Sequence, residues 1–223
     1  MRLDPNEIIP TAIVVAIMLL VGLPVHEFSH ALAAFRLGDG TAKLFGRLTL
    51  NPIAHFDPVG GTLLALTFIG SAGTFGFGWA KPTPVNPMNL EGGRRGEAIV
   101  AAAGPGSNLA LAIAGAIPLR FMIANPQLLG QLPMLANVLS LFVSINLLLM
   151  IFNFIPIPPL DGSKVMFAFM DRRTEYQIRP MLERYGFFIL FALLFLPPGP
   201  GNSIGLRIIG PILDGLYGLL VGV

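Results

Sequence analysis

The sequence predicts an all-α polytopic membrane protein of about five transmembrane helices, with a short re-entrant or β-hairpin-like segment between the first two. Three observations carry this reading. Of 223 residues, 54% are hydrophobic and only 12% are charged, about half the charged share of a soluble domain and too little polar surface to cover one. The apolar residues gather into stretches near the roughly 20 residues that a helix needs to cross a bilayer core. The basic residues fall in blocks between those stretches, as cytoplasmic loops require.

The first stretch, Ile8–Phe35, is longer than a signal-peptide core and has no basic lead beyond Arg2. It is read as a retained span, and no span is expected before it. Gly60–Gly73 is flanked by glycine and too short for a comfortable crossing, so a re-entrant or interfacial hairpin shielded by other helices suits it better. Ala98–Ile123 and Leu132–Ile155 form the second and third spans. The fourth, Phe187–Leu196, is short and reaches back toward Leu182; Ser203–Val223 is the fifth. Asp171–Arg184 reads as a polar helical connector.

Charge placement orients these spans. Arg36, Lys43, Arg47, Lys81, Arg94 and Arg95 lie between the first two long spans, and Lys164, Arg172, Arg173, Arg179 and Arg184 follow the third. The positive-inside rule then puts both basic loops and the C-terminus in the cytoplasm and the N-terminus outside, provided Gly60–Gly73 does not cross. A net charge of +2 leaves no footprint for nucleic-acid binding. Cysteine is absent, so there is no disulfide framework, and any metal must be held by His, Asp or Glu.

The first span contains His26-Glu27-Phe28-Ser29-His30. Histidines four residues apart sit about 40° apart around a helix, so both imidazoles reach one ion from one face. The adjacent Glu27 is where a metallopeptidase keeps its base. Ionisable groups inside a membrane helix cost about 2.5–3.5 kcal/mol each on insertion scales, so they need a reason. A third ligand must come from elsewhere, and His55 lies in a loop. Asp161 is the best-placed carboxylate, after the third span in Asn153-Phe154-Ile155-Pro156-Ile157-Pro158-Pro159-Leu160-Asp161-Gly162. Three prolines end the helix there, and broken backbone at membrane depth is tolerated where it lines a protected cavity.

His26-Glu27-Phe28-Ser29-His30, Asn153 and Pro158-Pro159-Leu160-Asp161-Gly162 together resemble the site-2 protease family of intramembrane metalloproteases, peptidase family M50. The likeness extends through Arg47–Gly60, Phe77–Pro87 and Ala103-Gly104-Pro105-Gly106-Ser107-Asn108, in family order. It implies one zinc ion per chain on His26, His30 and Asp161, with Glu27 as the catalytic carboxylate. It further implies that Asn153 orients the substrate or the developing oxyanion, the alternative being an interhelical hydrogen bond. The implied substrates are transmembrane helices of other proteins, cut within or near the bilayer of a prokaryotic cell membrane, and a homodimer is compatible with it. No PDZ or cystathionine-synthase-type domain is evident, so residues 1–223 read as one compact domain. Its catalytic core covers about 8–162 and its C-terminal helices about 182–223.

Gly76–Pro84 is a candidate edge for pairing with an extended substrate. That makes Gly78, Trp79 and Lys81 candidate substrate contacts, although Trp79 also reads as an interfacial anchor. Asn108 is a further candidate contact, while small residues around it also suit close helix packing. Asp57 reads as part of a structured loop, and Asp214 has no assigned role. The competing reading is a non-enzymatic scaffold or an ion-binding transporter using the same cluster. Paired repeats with matching broken helices would mark a transporter, and only one proline-rich break is present.

Overall fold

The first membrane helix must carry a proline through its middle. In a regular helix Pro24 would clash with the carbonyl of Leu20 and offer no N–H of its own. The structure, a computed structural model describing residues 5–70, 78–195 and 204–222, widens the helix instead. Helix α1 (Pro5–Ile17) runs through a π turn (Met18–Gly22) into α2 (Leu23–Arg36), and the Leu23 N–H bonds to the carbonyl of Met18, five residues back. Gly22 leaves room for the end of the Met18 side chain, which a Cβ there would overlap.

Beyond α2 the chain is organised by Asp39, which is fully buried. Its carboxylate accepts from the Thr41 N–H at 3.0 Å, the Thr41 hydroxyl at 2.5 Å, the Asn86 N–H at 2.7 Å and the Asn89 amide at 3.2 Å. It thereby ties the end of the first membrane helix to the segment that precedes the next one. Two short helices follow, α3 (Thr41–Leu44) and α4 (Pro52–His55). Asn51 caps α4 by accepting from the Ile53 N–H at 3.0 Å. The loop between them turns its polar groups inward: Arg47 and His55 are buried, whereas Leu50, Ile53 and Phe56 are exposed. Helix α4 packs back against α2 and the π turn, so these apolar side chains flank a membrane helix. Helix α5 (Pro58–Gly70) comes next, and residues 78–86 are then extended.

The middle of the bundle is α6 (Arg94–Ile123), which packs against α2, α8 (Pro133–Asn153) and α9 (Asp161–Phe169). A short α7 (Pro126–Gln131) turns the chain between α6 and α8. Ala112, Ala116, Leu119 and Met122 of α6 meet Ala136, Val143, Leu147 and Met150 of α8 in the main core. Small residues permit the approach: a Cβ on Gly115 would press into Phe142. Helices α10 (Arg172–Phe195) and α11 (Ile204–Val221) complete the fold, and Val221 joins the same core.

The all-α membrane architecture is as expected. Among the described residues, three helices are long and apolar enough to cross a bilayer: Ile9–Arg36, Arg94–Ile123 and Pro133–Asn153. The expected fourth and fifth segments fall on α10 and α11, and the polar connector is the first half of α10. Gly60–Gly73 is helical as far as Gly70, too short to span; its remainder, with Phe75, Gly76 and Phe77, lies outside the described residues. No strand occurs among the described residues, so 78–86 is extended without a hairpin partner.

Burial alone would push the Asp39 carboxyl up, but the hydrogen bonds from Thr41, Asn86 and Asn89 outweigh it and hold its pKa below the ordinary carboxylate value. A carboxylate held low lends stability above its unfolded value of about 3.9 and loses it as pH falls through the folded value. Asp39→Asn should therefore be less stable than wild type at neutral pH, by about 1–3 kcal/mol. Thermal unfolding in detergent at neutral pH and again below about pH 4 should show the gap narrowing in acid.

Candidate metal centre

Helix α2 presents His26 and His30 one turn apart, their ring centroids separated by 4.7 Å in an edge-to-face arrangement. Asp161 arrives from the other side of the chain. The helix of α8 ends at Asn153, and the proline-rich run to Leu160 carries the backbone to the first position of α9. Gly162 is required in that bend, because a Cβ would strike the carbonyls of Phe154 and Ile155. The far end of α9 is fastened by Arg94, whose guanidinium donates to the carbonyls of Phe167 and Met170. An ion contact of 3.0 Å from Arg94 Nε to Glu175 Oε2 continues the link to α10.

Three potential ligand atoms converge. His26 Nε2 and His30 Nε2 are 3.1 Å apart, and Asp161 Oδ2 lies 3.4 Å from the first and 3.2 Å from the second. All three residues are at least nine-tenths buried. Among the described residues this is the group of histidines and carboxylates able to hold a metal ion. The other ring nitrogens are engaged: His30 Nδ1 lies 2.7 Å from the Val100 carbonyl, and His26 Nδ1 lies 2.6 Å from Asn108 Oδ1. Both partners belong to α6. Gly104, between them on the same helix, faces the two imidazoles so closely that a Cβ would overlap Nε2 of each.

Glu27 is held by a residue the motif does not include. Its Oε2 accepts from the Thr83 N–H at 2.9 Å and from the Thr83 hydroxyl at 2.7 Å. Its Oε1 makes no hydrogen bond among the described residues. Thr83 stands between Pro82 and Pro84, neither of which has an N–H, and that pattern is the one sequence signal that could have pointed to it.

The other sequence candidates divide. Asn108 is buried, with its oxygen toward His26 and its amide donating to Asn146 Oδ1 at 3.2 Å, so it stands behind the cluster. Asn153, half-buried at the end of α8, donates to the Leu149 carbonyl at 2.9 Å. Gly78 packs against α5, where a Cβ would meet Gly60 and Leu64. Trp79 is half-exposed, and its carbonyl crowds Gly60. The exposed Lys81 donates its backbone N–H to the His55 carbonyl at 2.9 Å. Sequence reasoning also missed Gly104 as a wall of the cluster, although it had read its neighbourhood as suited to close packing.

Helices long enough to span a bilayer around a buried pair of histidines and a carboxylate are what a membrane metallopeptidase requires. The model of peptidase family M50 matches residues 120–197, which include Asp161. The chain is 38% identical over 200 residues to "Putative zinc metalloprotease YwhC" of Bacillus subtilis, covering 89% of this chain and 84% of that protein. It is 30% identical over 180 residues to Rip2 of Mycolicibacterium smegmatis and 32% identical over 183 residues to Rip2 of Mycobacterium tuberculosis, which carry the same description. Those alignments cover 80% of this chain and 65% of each Rip2 protein. No solved structure matches the chain. The chain belongs to peptidase family M50, the site-2 protease family.

Gly104→Ala would thrust a methyl group into the space the imidazoles occupy. It should weaken metal binding by about tenfold or more, read by zinc titration against a chelator, while the helix content of the protein persists by circular dichroism.

Proposed function

We propose that this chain is an intramembrane zinc endopeptidase that cuts membrane proteins within or near their transmembrane segments, in the manner of regulated intramembrane proteolysis. The observation that carries the reading is the triangle of donor atoms, with sides of 3.1, 3.2 and 3.4 Å. Ligands about 2.0–2.1 Å from a tetrahedral zinc ion lie about 3.3 Å from one another, so His26, His30 and Asp161 fit that ion. Two histidines and one carboxylate leave the fourth position open, as a catalytic rather than a structural site does. Zinc, when bound there, supplies Lewis-acid polarisation of the scissile carbonyl and makes a water molecule acidic enough to attack near neutral pH.

The rest of the chemistry falls to side chains. Thr83 occupies Oε2 of Glu27, which leaves Oε1 to take a proton from the attacking water and return it to the leaving amine. Asn153 keeps one amide N–H beyond the bond to Leu149, and that donor suits the oxyanion that develops as the carbonyl is attacked. Asn108 is buried, with its oxygen on His26 and its amide on Asn146, a placement that suits support of His26 better than contact with a substrate.

A substrate helix must unwind before its peptide bond is accessible. Gly76–Pro84 is kept as the candidate edge for the extended strand, and residues 78–84 of it are among those described. The N–H groups of Lys81 and Thr83 are taken by His55 and Glu27, and Pro82 and Pro84 have none. The backbone of residues 81–84 can therefore only accept, and pairing there depends on N–H groups the substrate brings. Orientation follows the basic loops, with the site opening toward the cytoplasm.

Glu27→Gln should retain zinc and lose cleavage of a membrane-embedded reporter by about a hundredfold or more. His26→Ala and Asp161→Ala should lose the metal itself. Elemental zinc analysis of the purified variants beside a cleavage assay separates these outcomes. Full proteolysis in Glu27→Gln would remove the general-base role, and undiminished zinc in either ligand variant would remove that ligand.

A further inference from the structure

Two buried asparagines stand behind the cluster, and their partners fix which way each carboxamide faces. The Asn146 amide nitrogen lies 2.9 Å from the Phe142 carbonyl and 3.4 Å from the Met18 sulfur. Both partners can only accept, so Asn146 must turn its NH2 toward them and its oxygen toward Asn108. Asn108 meets that oxygen with its own NH2 at 3.2 Å and so turns its oxygen toward His26 Nδ1, at 2.6 Å. An amide oxygen facing Nδ1 requires the proton there, which leaves the lone pair on Nε2, the atom that faces His30 and Asp161. Direction thus passes from a backbone carbonyl of α8, through two side chains, to a ring nitrogen of α2.

His30 needs no such relay. Its Nδ1 faces the Val100 carbonyl at 2.7 Å, and a backbone carbonyl inside a helix cannot turn round. The amide of Asn108 can rotate by half a turn. Reversed, it would offer an N–H to His26 Nδ1, move the ring proton to Nε2 and point that proton into the donor triangle.

We infer that Asn146, acting through Asn108, holds the Asn108 oxygen against His26 Nδ1 and so keeps Nε2 the nitrogen that His26 presents to the metal position. Both are positioning residues. The inference rests on the proposed role of His26, His30 and Asp161 as ligands. Outer partners of metal-bound histidines typically carry about 10–100-fold in affinity. The Met18 sulfur enters because the π turn brings it beneath Asn146, so the widened helix belongs to the same device.

Zinc affinity in Asn146→Leu should fall by about 10–100-fold. Adding Asn108→Asp to that variant should recover most of the loss, because a carboxylate accepts through either oxygen however it rotates. Undiminished affinity in Asn146→Leu, or a loss that Asn108→Asp does not recover, would each overturn the inference. His26→Ala is the control for the underlying reading: if it binds zinc as wild type does, the ligand assignment falls, whatever the tautomer. Should Asn146→Leu fail to fold, Asn146→Ala removes the same oxygen and carries the same expected loss and the same refuting outcomes.

Discussion

Everything in this fold is arranged around one meeting, that of Asp161 with His26 and His30 inside an apolar bundle. Polar groups there cannot fall back on water, so each must be answered by another part of the chain. That requirement explains why α6 is lined with small residues where it faces α2, and why α8 stops where it does. It also explains why α9 is clamped at its far end by Arg94. Removal of any one of these would leave the carboxylate or an imidazole buried and unanswered, which costs more than the contact itself contributes.

The membrane class, the first three spans and the members of the buried cluster were legible in the sequence, because each leaves a local signature. Apolar length marks the spans, four-residue spacing aligns His26 with His30, and prolines announce the break before Asp161. What was not legible is tertiary. Asn108 could be seen as a polar residue in an apolar helix, but nothing in its neighbours says that His26 is on one side of it and Asn146 on the other. Thr83 reaches Glu27 across more than fifty residues of chain. Asp39 lies in a Gly-Asp-Gly turn that reads as an ordinary loop, and its four donors come from two separate segments. Periodicity identifies the face a residue occupies and is silent on what that face meets.

The segments outside the three long helices obey the same rule in reverse. Between α2 and α6 the chain has polar groups that must be hidden and few regular hydrogen bonds with which to hide them. The loop before α4 solves this by folding Arg47 back onto the Ala54 carbonyl and His55 Nε2 onto the Thr49 carbonyl, leaving aliphatic and aromatic side chains outermost. Residues 81–91 are fastened at His55, Glu27, Asp39 and Leu37 in turn. An irregular segment with so many anchors is a rigid wall, fit to hold Thr83 against Glu27.

The π turn has a consequence for the whole first helix. Each residue advances an α-helix by about 100°, and the turn contains one residue more than a regular helix would. The two halves are therefore out of phase, like two stretches of one screw thread joined with a twist. The half before the turn packs on α8, while the half after it directs the histidines toward α6. A straight helix of the same sequence could face one of those neighbours or the other. The offset lets a single span serve as the pivot between both.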